Sequence, residues 1–246
     1  MPSFSFAMWR IKAVGTVALY VLAAASACRA QALMQSQRDA PYVGRFDLYT
    51  GFSDLNTPGL NNINQVGFHL QAGYNAKRWL SYGFDYSTQN GSTVLTPGIA
   101  TTTLRQQLAA ELPRGYNLQL PVEVNIQTFT AGGQLVIRHY RAATFFARPV
   151  LAAFHIKGTP HPNDPVNTLV ARQLAPQGYL TDWYGTYGAG GGVEFPVTRH
   201  MGARMQFDAG WNHPFNEILD HGSFTYRYSI GPAFHFGRNV PPPYSR

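Results

Sequence analysis

Few side chains in this sequence stand where they could do covalent chemistry. His221 and Ser223 are two residues apart. A histidine beside a serine generates a nucleophile when a third group orients the base, but no acid follows Ser223 in the remaining chain. Gly188-Ala-Gly190-Gly191-Gly192 lacks the Lys-Ser/Thr of a phosphate loop and falls inside a predicted strand. Inward glycines there would leave room in a narrow interior for bulky neighbours such as arginine. His161-Pro-Asn163-Asp164 offers metal-ligand types, yet no second cluster has ligand spacing, so it reads as a solvated turn. His69, His139, His155, His200, His213 and His235 are dispersed among apolar residues, as polar groups of a lumen or an interface. The expectation is no catalytic residue, no cofactor and no metal.

A different pattern recurs: charges that keep step with a period of two. Arg45, Asp47, Asp85, Arg138, Glu194, Arg204, Asp208 and Arg227 all fall on the same alternate face of segments whose other face is apolar. The last segment shows this best. Phe224, Tyr226, Tyr228, Ile230, Pro232, Phe234 and Phe236 alternate with Thr225, Arg227, Ser229, Gly231, Ala233 and His235. Such alternation predicts eight strands near 43–52, 65–75, 79–88, 122–138, 144–157, 183–196, 201–212 and 223–236. Strands of about ten residues or more, tilted by roughly 45°, span a hydrocarbon core. Tight turns join strands two to three, four to five and six to seven, at Ala76-Lys77-Arg78, His139 to Ala143 and Thr198 to His200. The other connections, 53–64, 89–121, 158–182 and 213–222, are longer and rich in Pro, Asn, Gly and Thr.

The start of the chain sets the compartment. Arg10 and Lys12 precede an apolar run from Ala13 to Ala27, and Ala30-Gln31-Ala32 has the small-x-small form of a cleavage site. Residues 1–32 read as a signal peptide, with Cys28 as an alternative lipidated cysteine. Residues 33–42 then form an N-terminal periplasmic segment, 43–237 the barrel and 238–246 a tail, extended and unpacked at its proline-rich end. The sequence has 19 Lys+Arg; once Arg10, Lys12 and Arg29 leave with the signal, 16 remain against 12 acids, and the formal charge falls from +7 to about +4. That balance is no nucleic-acid footprint. No later segment is long and apolar enough for a transmembrane helix.

Soluble barrels put apolar residues inside, whereas here the charged face also carries most strand glycines and the other face is nearly free of charge. This predicts an all-β fold: an eight-stranded antiparallel up-and-down transmembrane barrel with short periplasmic turns and long extracellular loops. Tyr42, Trp79, Tyr140, Phe195 and Phe236 form its aromatic girdle on the short-turn side, and Trp183 and Trp211 that on the long-loop side. Centring the sixth turn on Arg199 sets Glu194 opposite Arg204 and Gly190 opposite Asp208 in the lumen. Acids and bases then share one narrow interior and plug it. Thr103 to Leu112, with Leu104, Leu108 and Leu112 four apart and Pro113 closing it, predicts a short helix in the second long loop.

Gly190-Gly-Gly-Val193-Glu194-Phe195-Pro-Val197-Thr-Arg-His200-Met-Gly-Ala-Arg204 resembles the hairpin by which small outer-membrane barrels of the OmpA type cross to the periplasmic side and return. Phe234-His-Phe236 resembles their terminal aromatic signal for the barrel assembly machinery, although ten residues follow it. The resemblance covers Val43 to Gly237 and implies an integral protein of the Gram-negative outer membrane. Its partners would be outer-membrane lipids and lipopolysaccharide, the assembly machinery and an extracellular ligand of the loops. His221-Gly-Ser223 also resembles the His-x-Ser of lipid A deacylase barrels, without the glutamate that follows in that family. The expected function is a non-enzymatic envelope or surface-interaction protein acting through its loops. A narrow channel for small solutes is the alternative, and a lipid A-modifying enzyme the remote one.

Overall fold

The computed structural model describes residues 42–58, 63–113, 116–140, 142–216 and 218–241. The signal peptide, nearly all of the 33–42 segment and tail residues 242–246 lie outside the described residues. Eight strands follow one another: β1 (Gly44–Thr57), β2 (Ile63–Lys77), β3 (Leu80–Leu95), β4 (Leu120–Ile137), β5 (Thr144–Pro160), β6 (Leu180–Pro196), β7 (Met201–Asn212) and β8 (Ser223–Asn239). Each pairs antiparallel with its sequence neighbours, and β8 pairs with β1, so the sheet closes with no free edge. Closure satisfies every backbone ladder internally, which a spanning sheet needs where no water reaches it.

The strands outrun the expected segments at the long-loop end. β3 continues to Leu95 rather than 88, β5 to Pro160, and β6 begins at Leu180. Eighteen residues of β4, at about 3.3 Å per residue, exceed what a tilted strand needs to cross a hydrocarbon core of about 30 Å. The barrel is therefore taller than such a core, and the extra length lies at the long-loop end. Along the short-turn part of each strand the outward residues are apolar, among them Phe46, Leu48, Phe52, Phe68, Leu70 and Phe84, all exposed. Their inward neighbours are buried and polar, among them Gln71, Asp85, Ser87 and Arg227.

Towards that end the filling inverts without any slip of register. On β4 the inward Thr130 and Thr128 give way to Ile126 and Val124, while the outward Phe129 gives way to Gln127, Asn125 and Glu123. β5 repeats this, with Arg148 inward below and Phe154 and Ile156 inward above, where His155 and Lys157 face out. Leu55, Val124, Ile126, Phe154 and Ile156 form one apolar cluster inside this upper barrel. Polar-out and apolar-in is the arrangement of a barrel in water.

Two helices cover the upper rim. α1 (Thr102–Glu111) begins one residue before the expected 103–112, with Thr101 Oγ1 accepting from Leu104 N at 3.4 Å. α2 (Pro165–Leu174) lies within the connection expected to be an irregular loop. Leu108 of α1, Val170 and Ala171 of α2, and Leu118 and Leu120 before and at the start of β4 share a second apolar cluster. Phe215, at a left-handed φ of 46°, packs on the first cluster and against Leu219. Asp182 Oδ2 holds it there by accepting from Phe215 N at 2.6 Å.

Candidate functional site

The inward face of the membrane-spanning part carries a continuous polar network. Its centre is a four-membered ion cluster. Arg148 lies 2.5 Å from Asp85 and 2.9 Å from Asp208, and Arg227 lies 3.5 Å and 2.6 Å from the same two carboxylates. Two cations thus meet two anions drawn from β3, β5, β7 and β8. Gln206 Nε2 adds a bond to Asp208 at 3.1 Å, and Arg227 Nη1 one to Ser87 at 2.9 Å. A Cβ on Gly190, opposite Asp208 in the register, would collide with that carboxylate, so the glycine leaves the space the cluster occupies.

Nearer the short turns a second group forms. Arg204 donates to Glu194 Oε2 through Nε and Nη2 at 2.9 and 2.6 Å, and to Gln71 Oε1 at 2.9 Å. His235 bridges Asp47 Oδ1 at 2.5 Å and Glu194 Oε1 at 2.6 Å. Asn75 donates to Asp47 Oδ2 at 2.7 Å and accepts from Arg138 Nη2 at 2.9 Å. Tyr49, fully buried, lies under the Arg204 guanidinium at 5.5 Å and edge-on to His69.

Of the eight charges that the sequence places on the inward face, six sit fully within these groups, and Arg138 joins them at the mouth through Asn75. Arg45 does not join. A bulge between Gly44 and Phe46 turns it along the rim, where it donates to the carbonyls of Asn75 and Ala76 and lies over Tyr74. Sequence reasoning missed Arg148 and Asn75 as members, and it left His235 between lumen and interface without assigning it to the charge network. Their signal was present, since each falls on the inward parity of its strand.

The aromatic positions divide between the two ends. Tyr42, Trp79, Tyr140, Phe195 and Phe236 lie at the short-turn end, where Phe236 stacks on Phe46 and Tyr140 stands edge-on to Phe145. Trp183 and Trp211 lie at the other end. Trp183 stacks on His155 at 4.7 Å, level with the inversion on β5, and Trp211 stands edge-on to Phe224.

His221 and Ser223 are turned apart. His221 is exposed and faces Asp220 at 3.2 Å, while Ser223 points inward with Oγ 3.4 Å from the Phe224 carbonyl. Another serine and histidine do meet: Ser229 Oγ and His69 Nδ1 are 3.0 Å apart, and His69 Nε2 lies 3.6 Å from Asp85. All three are buried in the bore. Cavities of about 10 and 20 Å³, the size of single waters, lie elsewhere in the barrel, one lined by Gln71 and Arg148 and the other by Asp208 and Arg227. The His161–Asp164 segment is a helix cap rather than a free turn. Asp164 accepts from Asn167 N at 2.8 Å and from Tyr116 Oη at 2.7 Å, which pushes the Tyr116 phenol up to about 12.

No family model and no curated protein matches the chain. Solved structures are similar to it. Neisserial surface protein A is 11% identical with a TM-score of 0.53, over 79% of this chain and 99% of that one. OprG of Pseudomonas aeruginosa is 9% identical with a TM-score of 0.48, over 81% and 99%. Ail of Yersinia pestis, crystallised with the heparin analogue sucrose octasulfate, is 12% identical with a TM-score of 0.46, over 80% and 100%. At such identity the likeness to Neisserial surface protein A is one of fold, and it agrees with the closed antiparallel sheet and the apolar band around it. The chain has the fold of the small eight-stranded outer-membrane barrels.

Proposed function

We propose that the protein is a non-enzymatic outer-membrane barrel that acts through its outer cap and conducts nothing. The observation that carries this reading is the filled bore. Arg148, Asp85, Arg227 and Asp208 cross the lumen from four strands, and Arg204 and Glu194 fill the level below. An eight-stranded barrel is only wide enough for its side chains to fill it. Elaboration is concentrated instead in the cap, where α1, α2 and the 213–222 connection are tied together. Thr101 N donates to Ile218 O at 2.7 Å, and Ala100 pairs with Leu219. Recognition in such scaffolds resides in the loops.

Purified protein in planar bilayers and swelling liposomes tests this reading. A plugged barrel gives no steady conductance and no solute-dependent swelling, whereas large steady conductance would make it a channel. On this reading its partners are lipopolysaccharide and phospholipid around the wall, the assembly machinery reading Phe234-His-Phe236, and an extracellular ligand of the cap. Both termini are periplasmic and the cap is outside the cell. Single cysteines at Asn90, Asn163 and Arg199 report this orientation. Labelling of whole cells at Arg199, with none at the other two, inverts it.

A further inference from the structure

The exposed charges of the barrel are segregated by end. At the short-turn rim, Arg45, Lys77, Arg78, Arg138, Arg199 and Arg238 occupy the strand ends and turns all the way round. Lys77, Arg199 and Arg238 are exposed there, together with His139 and His200. Among the described residues, no carboxylate is exposed at this end, because its nearest acids, Asp47 and Glu194, are buried in the bore. The far end is the opposite. Glu123, Asp164, Asp182 and Asp220 lie there with Arg105, Lys157 and Arg172 among them.

The rim cations are also held at a defined height. Lys77 Nζ lies 5.4 Å from the Trp79 ring centroid, Arg199 4.9 Å from that of Tyr42, and Arg45 5.6 Å from that of Tyr74. Amphipathic rings settle at the headgroup level of a bilayer, apolar body inward and polar edge outward. A cation fixed over such a ring is therefore at the level of the lipid phosphates. Lys77 and Arg199 are exposed, and each lies over an aromatic ring.

We propose that this rim is a binding collar for anionic phospholipid headgroups of the leaflet it faces, selecting lipids with net negative charge over zwitterionic ones. The collar is independent of the cap. It rests on the membrane placement of the barrel but not on whether the bore conducts. Each cation near an anionic surface contributes about a fivefold change in association, and exposed contacts of this kind weaken as salt screens them.

The test uses refolded barrel in phosphatidylcholine vesicles with spin-labelled phosphatidylglycerol or spin-labelled phosphatidylcholine as probe. The motionally restricted fraction of each gives its relative association. The intact barrel is expected to prefer phosphatidylglycerol by about fivefold at low salt, a preference lost at high salt. A Lys77→Gln, Arg199→Gln, Arg238→Gln variant, checked for barrel formation by circular dichroism, is expected to bind the two lipids equally. An Arg105→Gln, Lys157→Gln, Arg172→Gln variant keeps the preference. Equal association by the intact barrel, or a preference that survives in the rim variant or in high salt, overturns the proposal. So does tight binding of the barrel to purified peptidoglycan sacculi without lipid selectivity, which would assign the rim to a polymer. Conductance with the lipid preference intact would remove the closed-bore reading alone.

Discussion

The membrane-spanning bore and the barrel above it are built from the same strands in the same register, yet they are filled oppositely. On β5 Arg148 and Phe154 share one inward face, six residues apart. On β1 the inward Asp47 and Ser53 are followed by Leu55, as the outward Phe46 and Phe52 are followed by Asp54 and Asn56. The pleat supplies two faces and nothing more. What lies outside the wall decides which face is apolar: lipid below forces polar residues inward, and water above forces apolar ones inward. The switch on β4 and β5, at Thr128 and Phe154, which pair directly, marks where the bilayer ends.

If that contrast is right, the two regions break differently. The largest effect belongs to the bore. Removing one member of a buried ion pair strands the other, at a cost of about 3 to 5 kcal/mol. Arg204→Ala is expected to lower stability by that amount in reversible urea unfolding, and Arg204→Ala with Glu194→Gln to recover a substantial part of it. Additive losses in the double-mutant cycle would show that the pair is hydrated rather than enclosed.

Next comes the upper core. Leu55→Ala is expected to cost about 2 kcal/mol, the low end for a buried leucine because the cap can settle into the space. Amide exchange should rise in α2 and the upper strands while the lower strands keep their protection. Uniform loss of protection would mean that the two regions unfold as one.

A smaller, local effect is expected at the helix cap. Asp164→Ala should speed exchange at the first turn of α2 without moving the urea midpoint. Bonds from Asn167 N and Tyr116 hold the Asp164 carboxyl below its ordinary value. Its stabilisation is complete above the unfolded value of about 3.9. It is lost only as pH falls through the lower folded value. The protection factor at the first turn of α2, the exchange rate taken relative to the unstructured amide at the same pH, should therefore be constant across neutral pH and fall only in acid. The smallest effect is none at all: Ser223→Ala should leave lipid A acylation in an expressing strain unchanged, and a change would restore the enzymatic reading.

The eight-stranded sheet was legible in the sequence because a wall between lipid and a packed interior writes its parity into every strand. Glu194 and Arg204 face each other because Arg199 centres the turn between them. Arg45 is on the correct parity and still leaves the bore, because a one-residue bulge is invisible to a period of two. The upper strands escaped for the inverse reason. Val124, Ile126, Phe154 and Ile156 fall within the expected strands and keep the alternation but reverse its sign, so the change of filling was missed, while 89–95, 158–160 and 180–182 read as loop. Helix α2 had a sequence signature that passed unused: Asp164 as cap, Pro165 in the first turn, and Val166, Leu169, Val170 and Leu174 at helical spacing.

The cluster that joins Leu108 to Val170 also bears on how the barrel is assembled. Leu108 lies between β3 and β4 and Val170 between β5 and β6, and on the proposed topology both connections have to cross the membrane. A ten-residue helix alone in water is marginal, so neither connection gains a fold by arriving first. Only when both are across can their leucines and valines find each other, and from then on neither hairpin can slip back without melting the pair. On that topology the cap is a catch: withdrawing either hairpin requires the pair to separate first.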